Sequence, residues 1–124
     1  MFIETKIETF PLHEVFTISR GSKTETTVVT VTLKDGDHVG RGECGPNPRY
    51  NETPESVVEE IEVIVKDIHR GLDRLNLQNV FPPGAARNAI DCAFWDLESK
   101  RLNKPAWQIA GLKKPVPIQT AYTL

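Results

Sequence analysis

The sequence predicts an α+β fold in which a three-stranded antiparallel meander is followed by a helical bundle. Three observations carry this. Up to about residue 45 the chain alternates polar and apolar residues and is dense in Thr and Val, the pattern of half-buried strands. "KDGD" interrupts that region with a hairpin signal, because Asp-Gly supplies positive φ angles at little cost. From Thr53 onward the apolar residues recur every three or four positions, the spacing of amphipathic helices.

The first strand is "FIETKIETFPL". Ile3, Thr5, Ile7 and Thr9 share one face, Phe2, Glu4, Lys6, Glu8 and Phe10 the other, and Pro11 is expected to end it. "TETTVVTVTLK" is the second strand and "HVGRGEC" the third. Gly40 and Gly42 in the third strand point to a bulge or to another backbone lying close. Thr53 is a suitable N-cap and Pro54 a suitable first residue for a helix running to about His69, with Gly71 as its stop. "LDRLNLQNVFPPG" reads as irregular or as a short helix. "AARNAIDCAFWDLESKRL" is the second clear helix: Ala86, Ala89, Ile90, Ala93, Phe94 and Leu97 form one apolar face, and Cys92, Trp95 and Leu102 a second. A helix apolar on two sides is expected to be covered on two sides. "PAWQIAG" is a short helix opened by Pro105 and stopped by Gly111. The tail "KKPVPIQTAYTL" reads as a break followed by a strand from about residue 116 to 123, the expected start of a further sheet.

At 124 residues the chain has the size of one ordinary domain, and 39% hydrophobic with 26% charged residues is a normal soluble composition. A net charge of -2 argues against nucleic acid as the main partner, since phosphate binding calls for a basic patch. Cys44 and Cys92 match no metal or disulfide spacing and read as two reduced thiols of a cytoplasmic protein. "MFIETKIETF" carries acids and alternation unlike a signal peptide, and no apolar run approaches a membrane span.

"AIDCAFWDLESKRLNKPAWQIAG" closely resembles the A-I-D-x-A-x-W-D-x-x-x-K…P-x-x-x-x-x-G signature of the enolase superfamily, with Ala89 to Asp96, Lys100, Pro105 and Gly111 falling on it. "GRGECGPNPRYNET" resembles the G-x-G-E-x-x-P-x-x-R-Y-x-E-T loop of that superfamily's dipeptide epimerase branch, within its muconate-lactonizing-like subgroup. "FTISRGSKTE" resembles the branch's first specificity loop, and "IQTAYTL" its first barrel strand. The resemblance runs the length of the chain. It implies an N-terminal capping domain over residues 1–112, then a linker and the first strand of a (β/α)₈ barrel over residues 113–124. By that resemblance the full-length protein is an isomerase that epimerises dipeptides such as L-Ala-D/L-Glu by proton abstraction next to a carboxylate. The catalytic bases and the Mg²⁺ ligands are expected in the barrel, so the chain alone is expected to be inactive. The resemblance also implies a homo-oligomer when full length. A muconate-type cycloisomerase and an o-succinylbenzoate-synthase-like enzyme are the alternatives within the superfamily. A standalone interaction domain is the alternative outside it.

The candidate substrate residues come from the two loops. Arg20 offers a planar guanidinium that matches a carboxylate bidentately, and the resemblance implies that it reads the acidic side chain of a dipeptide. Phe16 and Ile18 either wall the substrate or pack in the core. Arg49 and Tyr50 supply polar contacts from a second lid loop that closes over the barrel mouth, stiffened by Pro46 and Pro48. Thr123, on the strand like the first barrel strand, completes the set. Asn51 tolerates positive φ, while Cys44 and Asn47 have no assigned place. Glu43 is expected to be a structural carboxylate bonded to loop N–H groups. Asp91 and Asp96, five apart, face different ways and are not a catalytic pair; Arg87 is expected to pair with Asp91. Trp95 and Trp107 are expected as core anchors. His13, His38 and His69 share no ligand spacing.

Overall fold

Alternation in the first 44 residues does build one antiparallel sheet. In the computed structural model the strands are β1 (Phe2–Ile18), β2 (Gly21–Asp35) and β3 (His38–Cys44), in the order β1-β2-β3. The structure describes residues 1–19 and 21–121; the expected substrate contacts Arg20 and Thr123 lie outside the described residues. The β2–β3 hairpin closes at the pair Asp35–His38, with Gly36 at φ 59 in the tight turn that "KDGD" predicts.

β1 does not stop at Pro11. It continues to Ile18, because it is an edge strand and a residue without N–H costs little where one side of the strand has no partner. The ladder is broken there instead. Pro11 pairs with Glu25 and the next paired residue, Phe16, faces Lys23, so residues 12–15 oppose Thr24 alone.

Among the described residues four α-helices come after the sheet: α1 (Pro54–His69), α2 (Arg74–Val80), α3 (Ala85–Leu102) and α4 (Ala106–Ile109). α1 starts at a capping box in which Thr53 Oγ1 accepts from Ser56 N–H and Ser56 Oγ accepts from Thr53 N–H. Val57, Ile61, Ile64 and Ile68 form its buried stripe. α3 buries Ala86, Ala89, Ile90, Ala93, Phe94 and Leu97 against Val29, Val31 and Leu33 of β2.

The two glycines of β3 mark close backbone approach, and the β2–β3 ladder runs through them without a bulge. A Cβ at Gly42 would lie 2.6 Å from Ala93 N, and one at Gly40 2.6 Å from Leu97 N. α3 therefore rests on β3 backbone to backbone. Its polar side chains also take up the outer edge of that strand. Asp96 Oδ2 accepts from Arg41 N–H at 2.7 Å, Lys100 Nζ donates to Val39 O at 2.8 Å, and Asn88 Nδ2 donates to Glu43 O at 3.4 Å.

The second apolar stripe of α3 is not covered among the described residues. Cys92 is exposed, Leu102 is 55% exposed, and Trp95 is half-buried beneath the Arg74 guanidinium, 3.7 Å from its ring centroid. Trp107 is likewise only half-buried, so neither tryptophan anchors the core. The expected strand from residue 116 is not formed over residues 116–121: the chain there is exposed and is neither helix nor strand. A strand needs a neighbour to take its N–H and C=O groups, and these residues pair with none of the three strands.

Candidate ligand-binding surface at the hairpin end

Unequal strand lengths create the site. β3 ends at Cys44, opposite Val29, whereas β1 and β2 run on to the pair Ile18–Gly21. Beyond Val29 the β1–β2 hairpin is a two-stranded ribbon that extends past the helical layer. Arg20 lies between Ile18 and Gly21 in sequence, outside the described residues.

The irregularity after Pro11 decides what the ribbon presents. Four residues of β1 oppose one of β2, so β1 gains three, and an odd insertion exchanges the faces of every later residue in the strand. Before it, odd residues such as Ile3 face the helices; after it, Phe16 and Ile18 do. Phe16 then stands opposite Lys23, and Ile18 opposite Gly21. Neither is core: Phe16 is 48% and Ile18 44% exposed. Together with Leu12, Lys23 and Thr26 they line an open groove of about 640 Å³. On the opposite face Thr17 and Ser22 join their hydroxyls at 2.8 Å.

The loop after β3 borders a second groove of about 720 Å³, shared between Ser22 to Thr27 of the ribbon and Gly45, Pro46, Asn47 and Pro48. This loop is folded. Pro48–Tyr50 is a 3₁₀ turn, Asn47 Oδ1 accepts from Arg49 N–H at 3.0 Å, and Asn51 takes φ 59 at its end. Tyr50 is 69% exposed and Arg49 is exposed. The structure thus brings Phe16 and Ile18 together in one groove and places Arg49 and Tyr50 on the neighbouring loop.

The carboxylate that bonds the loop is Glu52, not Glu43. Glu52 Oε2 accepts from Asn47 N–H at 3.0 Å and Oε1 from Ala85 N–H at 2.8 Å, while Glu43 is exposed and engages α3 only through its carbonyl. The "E-T" end of the loop motif was the available signal, but its partner lies 33 residues on. Arg87 does not pair with Asp91. It donates to Phe81 O at 3.1 Å, and Asp91 accepts from Gln78 at 2.7 Å, because the turn before α3 and α2 offer nearer partners. Cys44 is buried, and desolvation followed by the charge of Glu52 pushes its thiol up to about 11. Desolvation raises the Asp96 carboxyl, but hydrogen bonds from Lys100 and Arg41 N–H outweigh it and hold the group below the usual carboxylate range.

Among the described residues no three His, Cys, Asp or Glu side chains come together in a way that could hold a metal ion, so this surface does not fit a Mg²⁺ site. Among the same residues no helix is long and apolar enough to cross a membrane.

Residues 3–111 match the family described as "Mandelate racemase / muconate lactonizing enzyme, N-terminal domain". The chain is 44% identical over 117 residues to the L-Ala-D/L-Glu epimerase of Escherichia coli, covering 94% of this chain and 36% of that protein. It superposes with a TM-score of 0.83 and 47% identity on an enolase family member from Agrobacterium tumefaciens, solved with bound sodium and L-Ala-L-Glu and with an ordered loop; the match covers 90% of this chain and 35% of that one. A dipeptide epimerase from Enterococcus faecalis, complexed with Mg and L-Leu-L-Tyr, superposes with a TM-score of 0.73 at 28% identity, covering 87% and 33%. The chain thus spans about a third of the length of these relatives.

Proposed function

The chain belongs to the mandelate racemase/muconate lactonizing enzyme family, as its N-terminal domain, and on that premise we propose that it is the lid and specificity domain of a Mg²⁺-dependent dipeptide epimerase acting on L-Ala-Glu-type substrates. The observation that carries this reading is the ribbon: an apolar groove walled by Phe16 and Ile18 and flanked by Lys23, in a chain 44% identical to an L-Ala-D/L-Glu epimerase. Arg20 pairs with the acidic side chain of the dipeptide, Phe16 and Ile18 wall its aliphatic part, and Arg49 and Tyr50 add polar contacts from the neighbouring loop. The domain excludes water from the bound dipeptide and orients it. Residues 1–112 form this domain, and residues 113–124 lead into a barrel of the same cytoplasmic, homo-oligomeric protein, with Thr123 on its first strand. The barrel supplies the metal ligands and the groups that remove and return the proton beside the carboxylate.

The test is a graft. Residues 1–112 replace the corresponding domain of the E. coli epimerase, and Cα proton exchange in D₂O is followed by NMR for Ala-Glu and Ala-Leu. The graft is expected to turn over Ala-Glu with kcat/KM at least about tenfold above Ala-Leu, the worth of one charge-assisted pair. A graft that melts cooperatively yet prefers Ala-Leu, or turns over neither dipeptide, refutes the proposal.

A further inference from the structure

Glu52 lies directly before the N-cap of α1 and belongs to neither lining of the two grooves. Its carboxylate nevertheless joins three parts of the fold. One oxygen accepts from Asn47 N–H at 3.0 Å, and the backbone N–H of Glu52 returns a bond to Asn47 O at 3.3 Å, so the turn is closed from both ends. Tyr50 N–H also donates to Asn47 O, and Arg49 N–H to the Asn47 side chain. The other oxygen accepts from Ala85 N–H, the first residue of α3. Ala85 is the first helical residue, whose N–H has no partner within the helix, and the N-cap Gly84 makes no side-chain bond to any of the free N–H groups of that turn. A carboxylate at this point also meets the positive end of the helix dipole. α3 in turn is seated on the backbone of β3 at Gly40 and Gly42. The turn that carries Arg49 and Tyr50 is therefore referenced to the most deeply buried helix of the domain.

We propose that Glu52 is a positioning residue: by tying Asn47 to the start of α3 it makes the turn bearing Arg49 and Tyr50 a fixed wall of the substrate site instead of a moving flap. The role in binding rests on the function proposed above; the clamp itself does not. Gln at this position is nearly isosteric, but its NH₂ group faces an N–H donor where the second oxygen had been, so it keeps one of the two bonds.

Two measurements decide it. In the chain itself, amide hydrogen exchange is compared between the parent and Glu52→Gln. Whichever of the Asn47 and Ala85 amides loses its oxygen is expected to exchange about tenfold faster or more, equivalent to about 1.4 kcal/mol, while those of Val31 and Ile61 hold their rates. In the grafted epimerase, Glu52→Gln is expected to raise KM for Ala-Glu by about tenfold with kcat nearly unchanged, and Arg49→Ala added to it is expected to cost little more. Unchanged exchange at Asn47 and Ala85, or an equal rise at all four amides, overturns the clamp. Local loosening without a change in KM overturns the positioning role. A parent graft without epimerase activity defeats the proposed function instead, and the exchange comparison still decides the clamp.

Discussion

Gly42→Ala is the sharpest test of how the site is built, because it adds one methyl group at the point where α3 meets β3. The new Cβ would stand 2.6 Å from Ala93 N, with Ala89 O also in its way, and both are backbone atoms of a helix. No side chain can rotate aside. Ordinary contact lies at about 3.5–4.0 Å, so the helix must retreat by roughly 1 Å. A gap of that size forfeits up to about half of the attraction of each contact along the strip, and the strip includes Ala89, Ile90, Ala93 and Leu97, all at most 1% exposed. The Asp96 and Lys100 bonds to the strand edge stretch with it. Overpacking of this kind costs typically 1–3 kcal/mol, and an unyielding backbone neighbour places Gly42→Ala at the upper end, about 3 kcal/mol. For a domain of this length that is a fall in Tm on the order of 10 °C. Gly45→Ala, three residues on, is the matched control: its Cβ meets nothing within 4 Å, and the change is expected within about 0.5 kcal/mol of the parent. Urea unfolding followed by circular dichroism measures both. A Gly42→Ala chain within about 1 kcal/mol of the parent refutes the seating of α3 on β3, since a methyl group would then have found room.

The other predictions reach the chemistry of single groups. In the grafted epimerase, Arg20→Met is expected to lower kcat/KM for Ala-Glu by about 10–200-fold and to affect Ala-Leu far less; equal losses for both would assign Arg20 to loop structure. The depressed Asp96 carboxyl contributes stability that is present above its unfolded value of about 3.9 and is lost as pH falls through the folded value. Asp96→Asn is therefore expected to be less stable than the parent at pH 7 and to close on it at pH 3; a constant gap in urea melts across that range counts against the linkage. Thiol reagents need thiolate. At pH 8 they are expected to label exposed Cys92 first, and Cys44, buried and pushed up to about 11, only as the chain unfolds. Equal rates at the two thiols would contradict that burial.

Features settled by local chemistry were legible in the sequence. The N-cap at Thr53, the turn at Gly36, and α3 from Ala85 to Leu102 all come from short-range patterns, and each stands where the pattern puts it. The close approach at Gly40 and Gly42 was legible as one of two meanings of a strand glycine, and only the position of α3 chooses between them. What escaped depends on partners remote in the chain. Pro11 reads as a stop because the sequence does not tell that its strand lies at an edge. The role of Glu52 has no local signature because its partner Ala85 is 33 residues away. The second stripe of α3 reads as buried because periodicity reports which faces are apolar and not which are covered. Within the site, the shared groove of Phe16 and Ile18 depends on register, which the alternation of one strand cannot supply without its neighbour.

The three extra residues of β1 after Pro11 have a consequence for how such a ribbon can vary. Side chains along a strand have only two directions, and the three extra residues reconcile the alternation before Pro11 with the opposite alternation after it. Phe16 and Ile18, however, owe their side of the ribbon to their partners Lys23 and Gly21, because residues directly opposite each other in an antiparallel pair point the same way. Residues added or removed among 12–15 would leave that pairing untouched and would be taken up by the irregularity itself. The segment is therefore slack in the strand: its length can drift while both faces of the tip stay as they are. A library that varies this segment by length alone alters the rim at Leu12 to Val15 and keeps Phe16 and Ile18 toward the same groove.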